Sequence, residues 1–496
     1  MSDTAHAAPP MRSLVLRGIG WKFVSQIVLQ SSGVLVAVVL ARLLRPHDYG
    51  LAGMVLVATG LVIVFSDLAL GAALIQRREL TDEDRSTAFW TGIAAGAAFT
   101  LVGIALSGPV ADFYGAPKVQ PLFAVFSLSF LIASLGATQK ALLIREMNFR
   151  SLELRLMLSS LLGGALGIAA AALGYGAWAI ITQQLTISVV STALLWIVSP
   201  WRPKFTYSLR SLRKLGGFSG NVFGQRLLYQ ITRNADNLLI GRFLGPAAVG
   251  AYAIAYTVML VPLSRLSGPI TEVLVPALSR MQDDPRRVGS VWLRANRLIA
   301  TVSIPALLGL MIVTDEFVHV VLGDHWRAAV PVLRILAWVG VLQAMQNLNE
   351  DVLMALDRTR RMFGFMVLWS CCNLAAFVIG LRWGIVGVAA CFALAGTLLT
   401  PVTTILTGRV AGVSVHDFVA NLAGVAQAAV VMATAVLLAK IGLVSAGVSP
   451  TERLALLIPL GILVYVPLAV WRVPDVVAEI RRLRPRPAGI AISSLR

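Results

Sequence analysis

Long apolar stretches separated by short polar turns run from about residue 20 to residue 472, and their length decides the element type. A run of about 20 apolar residues is what an α-helix needs to cross the hydrocarbon core, whereas a barrel strand needs about half that, with strict alternation. Fourteen helical spans are predicted. The first six cover 20–42, 51–75, 87–108, 120–142, 154–174 and 177–198, and the next six cover 216–240, 250–275, 291–313, 331–355, 362–382 and 385–408. Two more follow at 419–441 and 454–472. Pro262 and Pro269 predict a bend or break in the eighth span, as does Pro305 in the ninth, because proline removes a backbone donor and crowds the preceding turn. Gly163, Gly164 and Gly167 predict a close helix contact in the fifth.

The pattern also repeats. Ala41-Arg42-Leu43-Leu44-Arg45-Pro46-His47-Asp48-Tyr49-Gly50 aligns without a gap to Gly241-Arg242-Phe243-Leu244-Gly245-Pro246-Ala247-Ala248-Val249-Gly250. The same offset of two hundred residues pairs Gln26 with Arg226, Gln30 with Gln230 and Asp84 with Asp284. A direct repeat of this size predicts two like lobes related by an axis along the membrane normal, which points to a transporter. The expected organisation is a tail at 1–19, a first six-helix lobe at 20–198 and a basic linker at 199–215. A second lobe at 216–408, an appended helix pair at 409–473 and a basic tail at 474–496 complete it. The tail holds Arg12 and Arg17 without a cleavage-site pattern, so the first span is read as a retained anchor.

Composition agrees with the spans. The chain of 496 residues is 57% hydrophobic and 13% charged, with a mean hydropathy of +0.80, where soluble domains carry about 25% charge. A net charge of +18 would suit a nucleic-acid partner, but the basic residues sit in the turns between spans, where they set topology, so no nucleic acid is expected. Arg77, Arg78 and Arg85, then Arg145, Arg150 and Arg155, then Arg202 to Lys214, then Arg280, Arg286 and Arg287 all fall on one side, followed by Arg358, Arg360 and Arg361. That bias predicts cytoplasmic N- and C-termini, with the linker's cations along anionic headgroups. On the opposite side, the turn at 314–330, with Asp315, Glu316, His319, Asp324, His325 and Arg327, reads as a solvated loop rather than a metal site. Cys371, Cys372 and Cys391 read as small buried hydrophobes.

Ionisable residues inside spans are expensive and so are candidates for function. Lys22, Gln26 and Gln30 form an i, i+4, i+8 stripe on the first span, and Arg226, Gln230, Arg233 and Asn237 line one face of the seventh. With Arg265 in the eighth, they make a cationic interior suited to phosphate oxygens, which guanidinium groups grip in bidentate fashion. Lys22 and Arg334 are also placed to snorkel, and Arg233 with Asp236 to form a structural i, i+3 pair. Asp67 and Glu350 are the candidate coupling sites for a proton or sodium ion, and no other cofactor is expected. No P-loop of the G-x-x-x-x-G-K-[ST] form occurs.

"ARLLRPHDYG" (Ala41 to Gly50), "FSDLALGAALIQR" (Phe65 to Arg77) and "LTDED" (Leu80 to Asp84) resemble the N-terminal region of Wzx-type polysaccharide flippases. These are the WzxC-like branch of the multidrug/oligosaccharidyl-lipid/polysaccharide exporter superfamily. The resemblance implies an all-α, MATE-like integral membrane protein, not an enzyme, in the bacterial inner membrane. Its cargo would be an undecaprenyl-diphosphate-linked oligosaccharide, held in a cavity to which Lys22, Arg226, Arg233 and Arg265 are assigned by position. Polysaccharide polymerase and chain-length proteins are the partners it implies. The duplicated lobes within one chain suggest a monomeric transport unit. The alternatives are a multidrug antiporter of the same fold, whose cationic drugs would favour an acidic interior, and a membrane polymerase or ligase, which would need a larger external loop.

Overall fold

The computed structural model describes residues 11–62, 70–77, 79–213, 230 and 234–473. Every regular element among them is helical. Ten of the described helical stretches are long and apolar enough to cross a membrane, and one of these, 361–410, folds as two helices joined by a tight turn. Leu101, Leu398 and Leu463 project from helix exteriors, as expected where the surroundings are hydrocarbon. The chain is a multi-pass membrane protein.

Two compact units divide it: residues 1–254 with 321–326, and residues 255–320 with 327–496. The first unit holds α1 (Met11–Leu43), α2 (Pro46–Leu56), α3 (Leu70–Gln76) and α4 (Asp82–Tyr114). It continues with α5 (Val119–Arg145), α6 (Phe149–Ala172), α7 (Trp178–Val198), α8 (Ala235–Leu244) and the start of α9 (Pro246–Ser279). In the second unit α9 ends, and α10 (Pro285–Ile312), α11 (Thr314–Phe317), α12 (Ala329–Gln346) and α13 (Asn349–Ala355) follow. Then come α14 (Thr359–Gly380), α15 (Gly384–Val410), α16 (Val415–Ser445) and α17 (Pro450–Arg472). The packing pattern recurs between units: α4 on α5, α6 on α7 and α5 on α7 in the first, α10 on α12, α14 on α15 and α12 on α15 in the second.

Local sequence sets the helix starts. In the "LTDED" stretch Thr81 accepts from the Asp84 amide at 3.1 Å and the Asp84 carboxylate accepts from the Thr81 amide at 3.2 Å, a capping box that satisfies donors left open at the start of α4. Ser414 with Asp417 and Ser449 with Glu452 do the same for α16 and α17. Asp284, the repeat partner of Asp84, stands three positions earlier relative to its helix, as the N-cap of α10, taking the Arg287 amide at 3.1 Å ahead of Pro285. Gly163 and Gly167 let α7 approach closely: an added Cβ at Gly163 would lie 2.4 Å from Ile187, and one at Gly167 2.8 Å from Gln183.

Several expectations are corrected. The second predicted span is interrupted by a turn at Val57–Ala58 and the tenth at Asn347–Leu348. Of the bend or break expected at the prolines, no break forms: α9 stays helical through Pro262 and Pro269, and α10 through Pro305. Pro305 has no N–H for the Thr301 carbonyl, and the Tyr465 hydroxyl donates to that oxygen at 2.6 Å instead, so the helix need not open. Arg155 is not in a turn: α6 begins at Phe149 and buries it. Cys371 lies exposed on α14 rather than buried.

The turn at 314–330 is only partly solvated: Asp315, Asp324, His325 and Arg327 are exposed, but Glu316 is buried, and the last helix pair is tied to it. Glu316, only 1% exposed, pairs with Lys440 of α16 at 2.8 Å and Arg453 of α17 at 3.3 Å. Asp315 pairs with Lys440 at 3.3 Å and with Arg334 of α12 at 2.6 Å, and Lys440 also donates to the Ile312 carbonyl at 2.7 Å. These charges bind α10, α12, α16 and α17 together at one end, while α16 packs along α10. Because Glu316 faces two half-sequestered cations, Glu316→Ala is expected to destabilise the purified protein by about 3–5 kcal/mol, against under about 1 kcal/mol for Arg334→Ala at its exposed rim position. Tyr465→Phe, which leaves the Thr301 carbonyl bare, is expected to cost about 1–3 kcal/mol. Thermal unfolding in detergent measures all three, and equal midpoints across the set would refute the ranking.

Candidate functional site

The two copies of the repeat meet face to face. Each copy places proline at the first position of a helix and glycine one turn later: Pro46 and Gly50 on α2, Pro246 and Gly250 on α9. A Cβ added to Gly50 would lie 1.7 Å from the Pro246 carbonyl oxygen, and one added to Gly250 would lie 2.0 Å from the Pro46 carbonyl oxygen. The contact is reciprocal, as a pseudo-twofold relation between the copies requires, and only glycine on both sides admits it.

Residues 321–326 close over the end of α1 beside this contact. The last turn of any helix leaves carbonyls without intrahelical donors. Here the Ala41 carbonyl accepts from Trp326 Nε1 at 2.7 Å and lies 2.9 Å from His325 Nε2. Arg42 Nε donates to the Val321 carbonyl at 2.9 Å, and Trp326 meets Tyr49 edge-on with ring centroids 5.5 Å apart. Arg242, the repeat partner of Arg42, instead lies over the Phe113 ring at 5.7 Å.

The predicted polar stripes are described in part. Gln26 and Gln30 are half-buried on α1. Gln230 is half-buried, its carbonyl accepts from Asn234 Nδ2 at 2.9 Å, and its side chain fills the space beside Gly60, where a Cβ would fall 1.2 Å from Nε2. That contact joins the polar face of the seventh span to the second. Asp67, Arg226 and Arg233 lie outside the described residues, and for Lys22 and Arg265 the description covers the helical backbone alone. Glu350 is exposed at the start of α13.

Buried polar contacts that the sequence pattern did not single out lie close to the first stripe. Ser25, between Lys22 and Gln26 on α1, is fully buried and donates to the Glu153 carboxylate of α6, which is itself buried together with Arg155. At the same end of the unit Arg145 of α5 donates to the Leu74 carbonyl at 3.0 Å and to the Arg77 carbonyl, pinning the end of α3. Glu153 was missed because it falls at the edge of an apolar run, where a charge reads as part of a turn.

The profile of the family described as "Polysaccharide biosynthesis protein" matches residues 39–331, which include both copies of the repeat. The chain belongs to that family. It is 28% identical over 416 residues to "Lipopolysaccharide biosynthesis protein WzxC" of Escherichia coli (strain K12), covering 83% of this chain and 85% of that protein. It is also 28% identical over 383 residues to "Teichuronic acid biosynthesis protein TuaB" of Bacillus subtilis (strain 168), covering 75% and 78%. Among solved structures, the inward closed conformation of the lipid II flippase MurJ superposes with a TM-score of 0.75 at 15% identity, over 93% of this chain and all of that one. An inward-facing MATE family multidrug transporter of the MOP superfamily gives 0.58 at 13% identity, over 77% and 94%. These two likenesses establish the fold.

If the glycine contact is one shared surface, Gly50→Ala and Gly250→Ala should each cost about 1–3 kcal/mol. The double variant should lose little more than the worse single one, because the same contact is already broken. Unfolding midpoints in a double-mutant cycle decide this: additive losses would show that the two glycines pack independently.

Proposed function

We propose that this protein is a flippase that moves an undecaprenyl-diphosphate-linked oligosaccharide from the cytoplasmic to the periplasmic leaflet of a bacterial inner membrane, for exopolysaccharide, capsule or lipopolysaccharide synthesis. The observation that carries the reading is membership of the polysaccharide biosynthesis family combined with the fold of a lipid II flippase along 93% of the chain. A transporter needs no catalytic group, and the reading assigns none.

In this reading fourteen spans form two six-helix lobes, 20–198 and 216–408, followed by the pair within 409–473, and both termini are cytoplasmic by the distribution of basic residues. Lys22, Gln26, Gln30, Arg226, Gln230, Arg233 and Arg265 line the cavity, where guanidinium groups hold the diphosphate and the prenyl tail stays in lipid. The reciprocal Gly50–Gly250 contact parts when the cargo leaves, which a bare glycine surface permits because it has no interlocked side chains to disengage. A proton or sodium gradient acting at Asp67 or Glu350 supplies the energy. The unit works as a monomer beside polymerase and chain-length proteins.

The deciding experiment is flipping of an undecaprenyl-diphosphate glycan in proteoliposomes by wild type, Arg226→Ala and Arg265→Ala, with folding checked by unfolding midpoint. Loss of a charge-assisted phosphate contact should slow flipping about tenfold or more. Arg265→Lys should recover only part of the rate, since lysine cannot grip in bidentate fashion. Normal flipping by both alanine variants would remove these arginines from the site, and a wild type that moves no such lipid under any gradient would overturn the function itself.

A further inference from the structure

Residues 199–208, between α7 and the helical turn that begins at Leu209, contain no helix and are tied along the start of α4. Trp90 Nε1 donates to the Lys204 carbonyl at 2.9 Å, the Lys204 amide to Ser86 at 3.2 Å and the Ser208 amide to Thr87 at 3.0 Å. The Lys204 ammonium pairs with Asp82 at 2.7 Å, and Thr91 lies 3.4 Å from the Tyr207 hydroxyl. Phe205 and Tyr207 on the strap, and Leu209 at the start of the helical turn that follows it, are 94%, 51% and 64% exposed.

Three large apolar groups projecting from the strap and the turn after it would be a liability in water. Their surroundings explain them. Phe205 stacks on Trp90 at 5.2 Å and 26°, while Phe89 gathers Trp196 and Trp201, each at 5.9 Å. Indole rings clustered at the end of apolar spans mark the depth of the membrane interface. Arg202, Lys204, Arg210 and Arg213 flank the apolar side chains. Asp82 and Glu83 are the exposed acids on the facing turn, and Asp82 is already paired with Lys204.

We propose that the strap is a membrane-inserted anchor: Phe205, Tyr207 and Leu209 enter the headgroup–acyl boundary beside Trp90, and Arg210 and Arg213 bind the phosphates of anionic phospholipids there. Arg202 serves the strap instead, donating to the Trp196 and Trp201 carbonyls at 2.9 Å. The proposal rests on the cytoplasmic placement of the linker given above, since the cytoplasmic leaflet is the anionic one. Vesicles with the same lipids in both leaflets separate the two ideas, because insertion can then be read whichever way the protein faces.

The test uses the full-length protein in vesicles of phosphatidylcholine with about one-third phosphatidylglycerol, enough for a strongly negative surface. Nitroxide is attached at Phe205→Cys, and for comparison at the exposed turn residue Asp283→Cys, in a background lacking the three native cysteines. Collision with a water-soluble nickel chelate should be roughly fivefold or more weaker at 205 than at 283, with the order reversed for oxygen. Equal nickel accessibility would overturn insertion. Native mass spectrometry of the unlabelled wild type should show phosphatidylglycerol retained in preference to phosphatidylcholine. Arg210→Gln/Arg213→Gln should reduce that preference by roughly fivefold per charge removed. No preference in the wild type, or an unchanged preference in the double variant, would overturn the anionic-lipid assignment without depending on the labelled protein.

Discussion

A backbone N–H or C=O inside hydrocarbon has no water to bond, so the chain must satisfy each one itself. That constraint explains why the described elements are all helices, and it explains the side chains that appear wherever a helix is imperfect. At Pro305 the missing donor is replaced by the Tyr465 hydroxyl from α17. Where α1 ends, the freed Ala41 carbonyl is met by Trp326 and approached by His325, residues nearly three hundred positions away. Arg145 performs the same service for the end of α3. Each repair is also a tertiary contact, so the requirement that shapes the helices helps to assemble them.

Association of helices in lipid gains little from hydrophobic burial and relies on close approach instead. The duplicated motif shows how a sequence repeat becomes a surface. Its glycine recurs because each copy's helix must pass against the other's proline carbonyl, and its proline recurs because each starts a helix where an amide donor would go unused. The two arginines of the motif then diverge, Arg42 onto a carbonyl and Arg242 onto an aromatic ring, because the surroundings of the two copies differ. What must be symmetric is conserved between copies, and what need not be has drifted.

In the proposed reading charge is divided between structure and cargo. Asp315, Glu316, Arg334, Lys440 and Arg453 compensate one another and hold the final helix pair against α10 and α12. Asp82 and Lys204 tie the linker to α4. Lys22 on the first span, Arg226 and Arg233 on the seventh and Arg265 on the eighth are the cations that the proposed diphosphate cargo would neutralise. An anionic lipid substrate and a cationic interior suit each other, since neither charge need then be buried alone.

The sequence by itself determined the all-helical membrane class, the repeat and the family, because span length and motif recurrence are properties of a linear pattern that hydrocarbon enforces directly. Gly163 and Gly167 were also legible as a contact face, since small residues one turn apart have few other uses in a membrane helix. Only the tertiary structure decided what the prolines do, for a proline's effect depends on whether a distant hydroxyl such as that of Tyr465 arrives to replace the lost donor. It likewise decided that Glu316 is a buried strut rather than a solvated turn residue, and that Glu153 is buried against Ser25. The physical reason is the same in each case. A pattern along one chain reports what must leave water, whereas the partner that makes a buried polar group affordable comes from another part of the chain, at a separation no local window contains.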